Sequence, residues 1–228
     1  PVPSRGIVHG LCALQHAPCG SASTGASAGM SGGTGWPMLK ALSAPSKVPA
    51  VDRHILNPLF APQSIVVFAG PADAVEAPTP MAATLRRELK AGGYVGQIHW
   101  LDVDMSGTLS DLAHSRADLA LIALPADQIA AALEIVGRIR CRAALVLSVG
   151  LPAAQCTEMH QIARRYGVQL MGPNSLGFQR PQLKLNASTC GTLPKTGPLA
   201  LVSQSGALTA SMLDWAACAL AGRDEPAG

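Results

Sequence analysis

Two short runs carry residue types that can bind or transfer a charged group. Gly172-Pro173-Asn174-Ser175-Leu176-Gly177 combines backbone freedom with an amide and a hydroxyl. Glycines let a ligand approach the main chain, and Asn174 and Ser175 are then placed to hydrogen-bond it. The same Gly-Pro-Asn order also builds an ordinary turn with no ligand, and the residues alone leave both readings open. Ser203-Gln204-Ser205-Gly206 stands between an apolar run and a helical one. Its amides should collect at a helix N-terminus, where the macrodipole favours a phosphoryl group. Ser205 equally serves as a plain helix cap, a role worth about 1 kcal/mol. A nucleophile elbow is excluded, because G-x-S-x-G needs glycine two places to each side and Ser205 has Ser203 and Ala207 there.

Other chemistries find little support. Cys12, Cys19, Cys141, Cys156, Cys190 and Cys218 form no C-x-x-C pair and do not cluster with histidines, so no metal site and no dithiol pair is indicated. His9, His16, His54, His99, His114 and His160 stand singly and read as surface or core residues. The net charge is +3, with 17 basic residues scattered along the chain, which is not the footprint of a nucleic-acid groove. No run of 18 apolar residues and no basic-then-hydrophobic start is present, so neither a membrane span nor a secretory signal is expected and the cytoplasm is the default.

The two runs need elements that place them. From Gly20 to Gly35 every residue except Met30 is Gly, Ser, Ala or Thr, too little apolar surface to offset chain entropy. Residues 1–52 therefore read as a disordered leader. Beyond them strand and helix patterns alternate. An apolar run over 64–69 is followed by a helical pattern over 81–91, closed by Gly92-Gly93. Strands at 97–101, 118–124, 143–148 and 168–171 alternate with helices at 126–140 and 157–166. Such alternation predicts an α/β fold, with a Rossmann-like parallel sheet over 53–180 and a ligand crevice beyond the carboxyl ends of its strands. The 4% aromatic content fits that class better than a β-sandwich. Residues 181–197 read as a linker, a strand at 198–202 and a helix at 207–221 as the start of a second domain over 198–222, and 223–228 as a tail. One βα unit cannot close a core of its own, so the sequence reads as a fragment.

The segments Ser64-Ile65-Val66-Val67, Asp118-Leu119-Ala120, Gly172 to Gly177, Leu185-Asn186-Ala187-Ser188, Leu201 to Ala207 and Leu213-Asp214-Trp215-Ala216 together resemble a known family. In that order they resemble the NDP-forming (ADP-forming) acyl-CoA and acetyl-CoA synthetases and the related Pat-type protein lysine acetyltransferases, over about residues 53–222. The resemblance implies a Rossmann-like domain binding coenzyme A or acetyl-CoA, then flavodoxin-like domains similar to parts of succinyl-CoA synthetase. Residues 198–222 would be the first βα unit of such a domain. An ATP-grasp module would follow, with an acetyltransferase domain in the Pat-type members. It also implies that Ala69 and Gly70 form the first ligand turn, that Leu124, Pro125, Ser148, Val149 and Gly150 line the CoA groove, and that Asn174 and Ser175 lie near the thiol. Ser203, Ser205 and Gly206 would form one of the helix N-termini that hold a phosphorylated histidine. That histidine would follow residue 222, and ATP or ADP would act only through the missing domains. No catalytic residue is therefore expected here, and the chain alone would be inactive as a ligase. Ser175 stands where many synthetases have cysteine, which leans towards the Pat-type.

Two departures from the family pattern open alternatives. Where relatives have a Gly-Ala-Ser turn and a later glycine, this chain has Ala69-Gly70-Pro71 and Ala82. Pro71, Pro78 and Pro80 remove three amide donors, which motivates a degenerate, non-catalytic regulatory or interaction domain of the same fold. Asp102 and Asp104 follow the second strand. An acid there suits a ribose 2′-hydroxyl and repels a phosphorylated ribose, the motive for an NAD-binding oxidoreductase, although no G-x-G-x-x-G precedes it. Solvated loop carboxylates are the plainer account of both acids.

Overall fold

A computed structural model describes residues 55–71, 75–103, 117–197 and 200–221. The expected leader and tail, Asp104 and the histidines at 9, 16, 54 and 114 lie outside the described residues. Five strands, β1 (Ser64–Phe68), β2 (Gln97–Trp100), β3 (Leu119–Ile122), β4 (Ala143–Val146) and β5 (Gln169–Met171), form one parallel sheet in the order 2-1-3-4-5. Ile65 lies beside Ile98 on one side and Leu119 on the other, and Leu121 lies beside Leu145. Parallel strands need long crossovers, and these place cover on both faces, so β1, β3 and β4 are buried throughout and, apart from Ser64 at the start of β1, apolar.

The cover is made by helices α1 (Asn57–Phe60), α2 (Pro80–Gly92), α3 (Ile129–Arg138) and α4 (Ala153–Tyr166). Val66, Phe68, Ala120, Ile122, Ala144 and Val146 point to a core shared with Leu133, Val136, Met159 and Ile162 of α3 and α4. Ile65, Val67, Leu119, Leu121 and Leu145 point the other way, to Leu85 and Leu89 of α2 and Leu59 of α1. The strand period of two thus sorts one sequence into two cores.

Most boundaries fall where the periodicity predicts them, and the differences have physical causes. Helix α4 begins at Ala153, ahead of the expected Thr157, because Pro152 takes the cap position in extended conformation and Thr157 bonds back to the Ala153 carbonyl at 3.0 Å. Helix α3 is preceded by a 3-10 turn over Ala126–Gln128 and ends at Arg138, before the expected Arg140, which sits in the left-handed region at φ 56°. Helix α5 (Gly206–Ala221) matches its expected span. Residues 200–202, expected as a strand, have no strand beside them. A strand exists only by pairing, and among the described residues no sheet edge is offered there.

The largest correction concerns the stretch read as a turn-rich linker. Residues 181–197, read as a linker, carry β7 (Leu185–Ser188), which pairs antiparallel with β6 (Gly177–Arg180) just before them, and Phe178, Leu185 and Ala187 of this hairpin join the α2-side core. Phe178 is wholly buried and meets Phe60 edge to face at 5.5 Å. Gln179, Asn186 and Ser188 are buried as well, so no polar-out alternation marks the strands in sequence. Their polar atoms satisfy one another. Asn186 donates to Glu88 at 3.0 Å and to the Gly191 carbonyl at 2.8 Å, and its own oxygen accepts from Gln179 and Ser188.

Because Phe178 fills space between α1, α2 and the sheet, Phe178→Ala should cost about 3–5 kcal/mol. Urea unfolding followed by far-UV circular dichroism checks this, and a loss below about 1 kcal/mol would show that the hairpin is not part of the cooperative core.

Candidate functional site

In an open parallel sheet of this strand order the ligand crevice lies at the carboxyl ends, where the chain turns back between β1 and β3. The expected residues gather at that edge. Ala69 and Gly70 end β1, Leu124 and Pro125 follow β3, Ser148, Val149 and Gly150 follow β4, and Asn174 and Ser175 follow β5. A run of hydrogen bonds ties these ends together. The Thr79 hydroxyl donates to the Ala123 carbonyl at 2.9 Å. The Ser148 hydroxyl donates to the Leu124 carbonyl at 2.7 Å. The Asn174 N–H donates to the Ser148 carbonyl at 2.9 Å.

These bonds divide the candidates. Ala69, Leu124, Ser148 and Ser175 are buried and shape the edge from within. Ser175, expected near the thiol, has no exposed surface in the structure, and its hydroxyl accepts the Gly177 N–H at 3.1 Å. The residues that present themselves outward are Val149, Gly150 and Asn174. Gly150 has φ 74°, and a side chain added there would meet nothing within 4 Å, so open space lies in front of its backbone. Gly172 is needed for a different reason. At φ 97° its missing side chain makes room for the Val146 carbonyl, so this glycine serves close packing of β5 on β4. Thr79 was not anticipated, although a threonine directly before a proline at the start of a helical pattern is a legible cap signal.

The Ser203 to Gly206 turn adopts its capping role. Ser205 Oγ accepts the Leu208 N–H at 3.2 Å, and the Ser205 N–H is taken by Ser203 Oγ at 3.0 Å. Gly206 sits against Leu176, where an added Cβ would lie 2.8 Å from Leu176 Cδ1. The turn is therefore brought beside the loop that carries Asn174. His99 lies in β2, and His160 lies in α4 with Nδ1 2.6 Å from the Cys156 carbonyl one turn back. Neither stands at the carboxyl edge.

The phosphate-bearing end of a CoA ligand finds a poor fit beside β1. Gly70 has the left-handed φ of a phosphate turn, 76°, but the space its missing Cβ leaves is taken by Pro78, whose Cδ lies 2.9 Å from that point. At the start of α2, Pro80 has no N–H, and the Ala82 and Ala83 amides are held by Thr79 at 3.0 and 3.1 Å. Asp102 accepts the N–H of Val103 at 2.7 Å and closes its own turn. The Gly150 and Asn174 loops, by contrast, are exposed, with open space in front of Gly150 and the Asn174 side chain facing outward, which leaves room for the uncharged arm of such a ligand.

Two open grooves of about 750 and 730 Å³ lie at the opposite, amino edge, both lined by Arg140 and Arg142. The helix N-termini and glycine turns that ligand sites on this fold use lie at the other, carboxyl edge. Cys141 lines one of them but is no nucleophile. Burial pushes its thiol up to about 12, and its S–H donates to the Ala143 carbonyl at 3.4 Å.

The five-strand parallel sheet with helices on both faces makes this an α/β domain. The chain is 38% identical over 104 residues to the ADP-forming acetate–CoA ligase I of Archaeoglobus fulgidus, covering 43% of this chain and 15% of that protein. It is 29% identical over 177 residues to the alpha subunit of the ADP-forming acetate–CoA ligase I of Pyrococcus furiosus, covering 70% and 37%. A third relative, the ADP-forming 4-hydroxybutyrate–CoA ligase of Nitrosopumilus maritimus, is 25% identical over 173 residues, covering 69% and 24%. No family model matches the chain. Among solved structures, acetyl-CoA synthetase 1 of Ca. Korarchaeum cryptofilum with phosphate and ADP superposes with a TM-score of 0.55, at 23% identity over 70% of this chain and 36% of that one. A Pyrococcus horikoshii structure gives 0.58, at 23% identity over 70% and 38%. The chain is homologous, in sequence and in fold, to the N-terminal region of NDP-forming acyl-CoA synthetases. It spans 15–37% of the length of these curated relatives.

Tyr94 is pushed up to about 12, first by burial and then by the nearby Asp118 carboxylate. For both Tyr94 and Cys141 the folded state holds its proton to higher pH than the unfolded chain. Their contribution is therefore intact below about pH 9 and is lost as pH rises towards 12. Urea midpoints should fall over that range, and Cys141→Ala should flatten part of the fall. A profile unchanged by the substitution would contradict the burial of the thiol.

Proposed function

We propose that this domain is the acyl-CoA-binding part of an ADP-forming acyl-CoA synthetase, and that it presents a CoA thioester at the carboxyl edge of the sheet. The observation that carries the reading is the convergence of Val149, Gly150 and Asn174 on one open edge, held by the Ser148 bridge between β3 and β5. The relatives named as CoA ligases support the ligand class. In this proposal the binding domain expected over 53–180 extends through the β6–β7 hairpin, and 198–222 is the start of a succinyl-CoA-synthetase-like unit.

The nucleotide-handling ATP-grasp part and the phosphorylated histidine belong to this proposal as elements outside the described residues. The α5 N-terminus beside Leu176 is then one support for the phosphoryl carrier, offering the unoccupied Gly206 and Ala207 amides. A cytoplasmic setting is part of the same proposal; among the described residues no helix is long and apolar enough to cross a membrane. The Pat-type alternative drew on Ser175, and a buried hydroxyl bonded to Gly177 lends it no support.

Acetyl-CoA at a hundred times its Kd should raise the stability of the chain by about 2.7 kcal/mol, seen as a thermal shift, and NAD should give none. Asn174→Ala should weaken binding by about fivefold, the scale of one hydrogen bond. A shift with NAD and none with acetyl-CoA would turn the reading towards the oxidoreductase alternative.

A further inference from the structure

We infer that the carboxyl edge recognises the pantetheine-thioester half of its ligand and rejects the phosphorylated adenosine half, so that the domain discriminates little between an acyl-CoA and a shorter acyl-pantetheine. This rests on the acyl-CoA reading and sharpens it.

A diphosphate on a parallel sheet is held by free amides at a glycine turn and a helix N-terminus, commonly with basic side chains nearby. Each of these is altered here. The Gly70 cradle is filled by Pro78 at 2.9 Å. The Thr79 hydroxyl is spent twice, accepting from Ala82 and donating to Ala123. With Pro80 lacking an N–H and Ala83 bonded to the Thr79 carbonyl, Met81 keeps the one uncommitted amide in the first turn of α2.

The charges point the same way. The described carboxyl-edge segments are 69–71, 75–79, 101–103, 123–128, 147–152 and 172–176. They contain Glu76, Asp102 and Asp127 and neither lysine nor arginine. Arg86, which donates to the Glu76 carbonyl at 3.5 Å, is buried behind the loop. A CoA molecule brings a diphosphate and a ribose phosphate to this edge, and like charges at short range oppose it. The neutral pantetheine arm meets no such opposition at Gly150 and Asn174.

Isothermal titration of the full chain with acetyl-CoA and with S-acetylpantetheine tests this. The two should bind within about tenfold of each other, and acetyl-CoA should not weaken when salt is raised, because screening relieves repulsion. The double substitution Glu76→Lys, Asp102→Lys should tighten acetyl-CoA by about tenfold, the scale of 1.4 kcal/mol, and leave S-acetylpantetheine unchanged. Such a gain cannot come from misfolding. A preference for acetyl-CoA of a hundredfold or more, or no gain in the double variant, overturns the inference while leaving the acyl-CoA reading intact. Binding of neither ligand to a chain shown to be folded removes that reading and this inference together, in favour of a degenerate domain.

Discussion

The central constraint is the polar closure of a sheet buried on both faces. Strands β1, β3 and β4 have no exposed residue, so each backbone group at their carboxyl ends must find a protein partner or reach the surface. The ladder runs past the strands, with Ala123 N–H to the Phe68 carbonyl and Leu147 N–H to the Ile122 carbonyl, both 2.9 Å. Beyond that point side chains take over. Thr79 satisfies Ala123, Ser148 satisfies Leu124, and the Asn174 amide satisfies Ser148. One requirement therefore fixes the positions of four loops relative to one another, and the outward faces of Gly150 and Asn174 follow from it.

The second layer of cover shows how a domain substitutes one element for another. On the α3–α4 side two helices with apolar stripes do the work. On the other side α2 is joined by a hairpin, and the inward Asn186, Gln179 and Ser188 would be costly if left unpaired. They form a closed group with Glu88 of α2, whose other oxygen accepts from Arg87 at 2.9 Å. The polar group fixes the hairpin's register on the helix, which apolar contact alone, being non-directional, does less well.

The legibility of each part in sequence follows from how local its cause is. Strands β1, β3 and β4 stand out because burial on both faces leaves an uninterrupted apolar run. Helix α2 is legible from its stripe and from Gly93, which adopts the left-handed cap at φ 73°. The hairpin is not legible, because its inward polar residues are paid for by Glu88, nearly a hundred positions away in the chain. The same applies to the site. That Ser148 and Asn174 lie at one edge follows from strand alternation, but that Ser148 bridges to Leu124 depends on β3 and β4 being neighbours. The burial of Ser175 depends on Gly177 and the hairpin behind it. A motif fixes which loop a residue belongs to, whereas the packing of other loops decides which way it faces.

The charge layout extends this logic to the whole domain. Helix C-termini point to the amino edge, and there Arg138 ends α3, Arg164 and Arg165 end α4, and Arg140 and Arg142 follow. Helix N-termini point to the carboxyl edge, and Asp127 stands in the turn that leads into α3. The amino edge thus carries side-chain charge opposed to the helix dipoles, whereas at the carboxyl edge Asp127 alone does so, and only for α3. At the amino edge this stabilises the fold, since Arg165 also pairs with Glu134 at 3.0 Å. At the carboxyl edge it has a second effect. The positive end of a helix dipole attracts an incoming phosphate only while no carboxylate of the protein already occupies it. At α3, where Asp127 stands before the helix, part of the attraction that phosphate sites on this fold rely on is already taken up by the protein itself. The open turns after β4 and β5 carry no charge, so what that part of the edge presents is shape and hydrogen-bonding capacity alone, set by the same closure that fixes the loops.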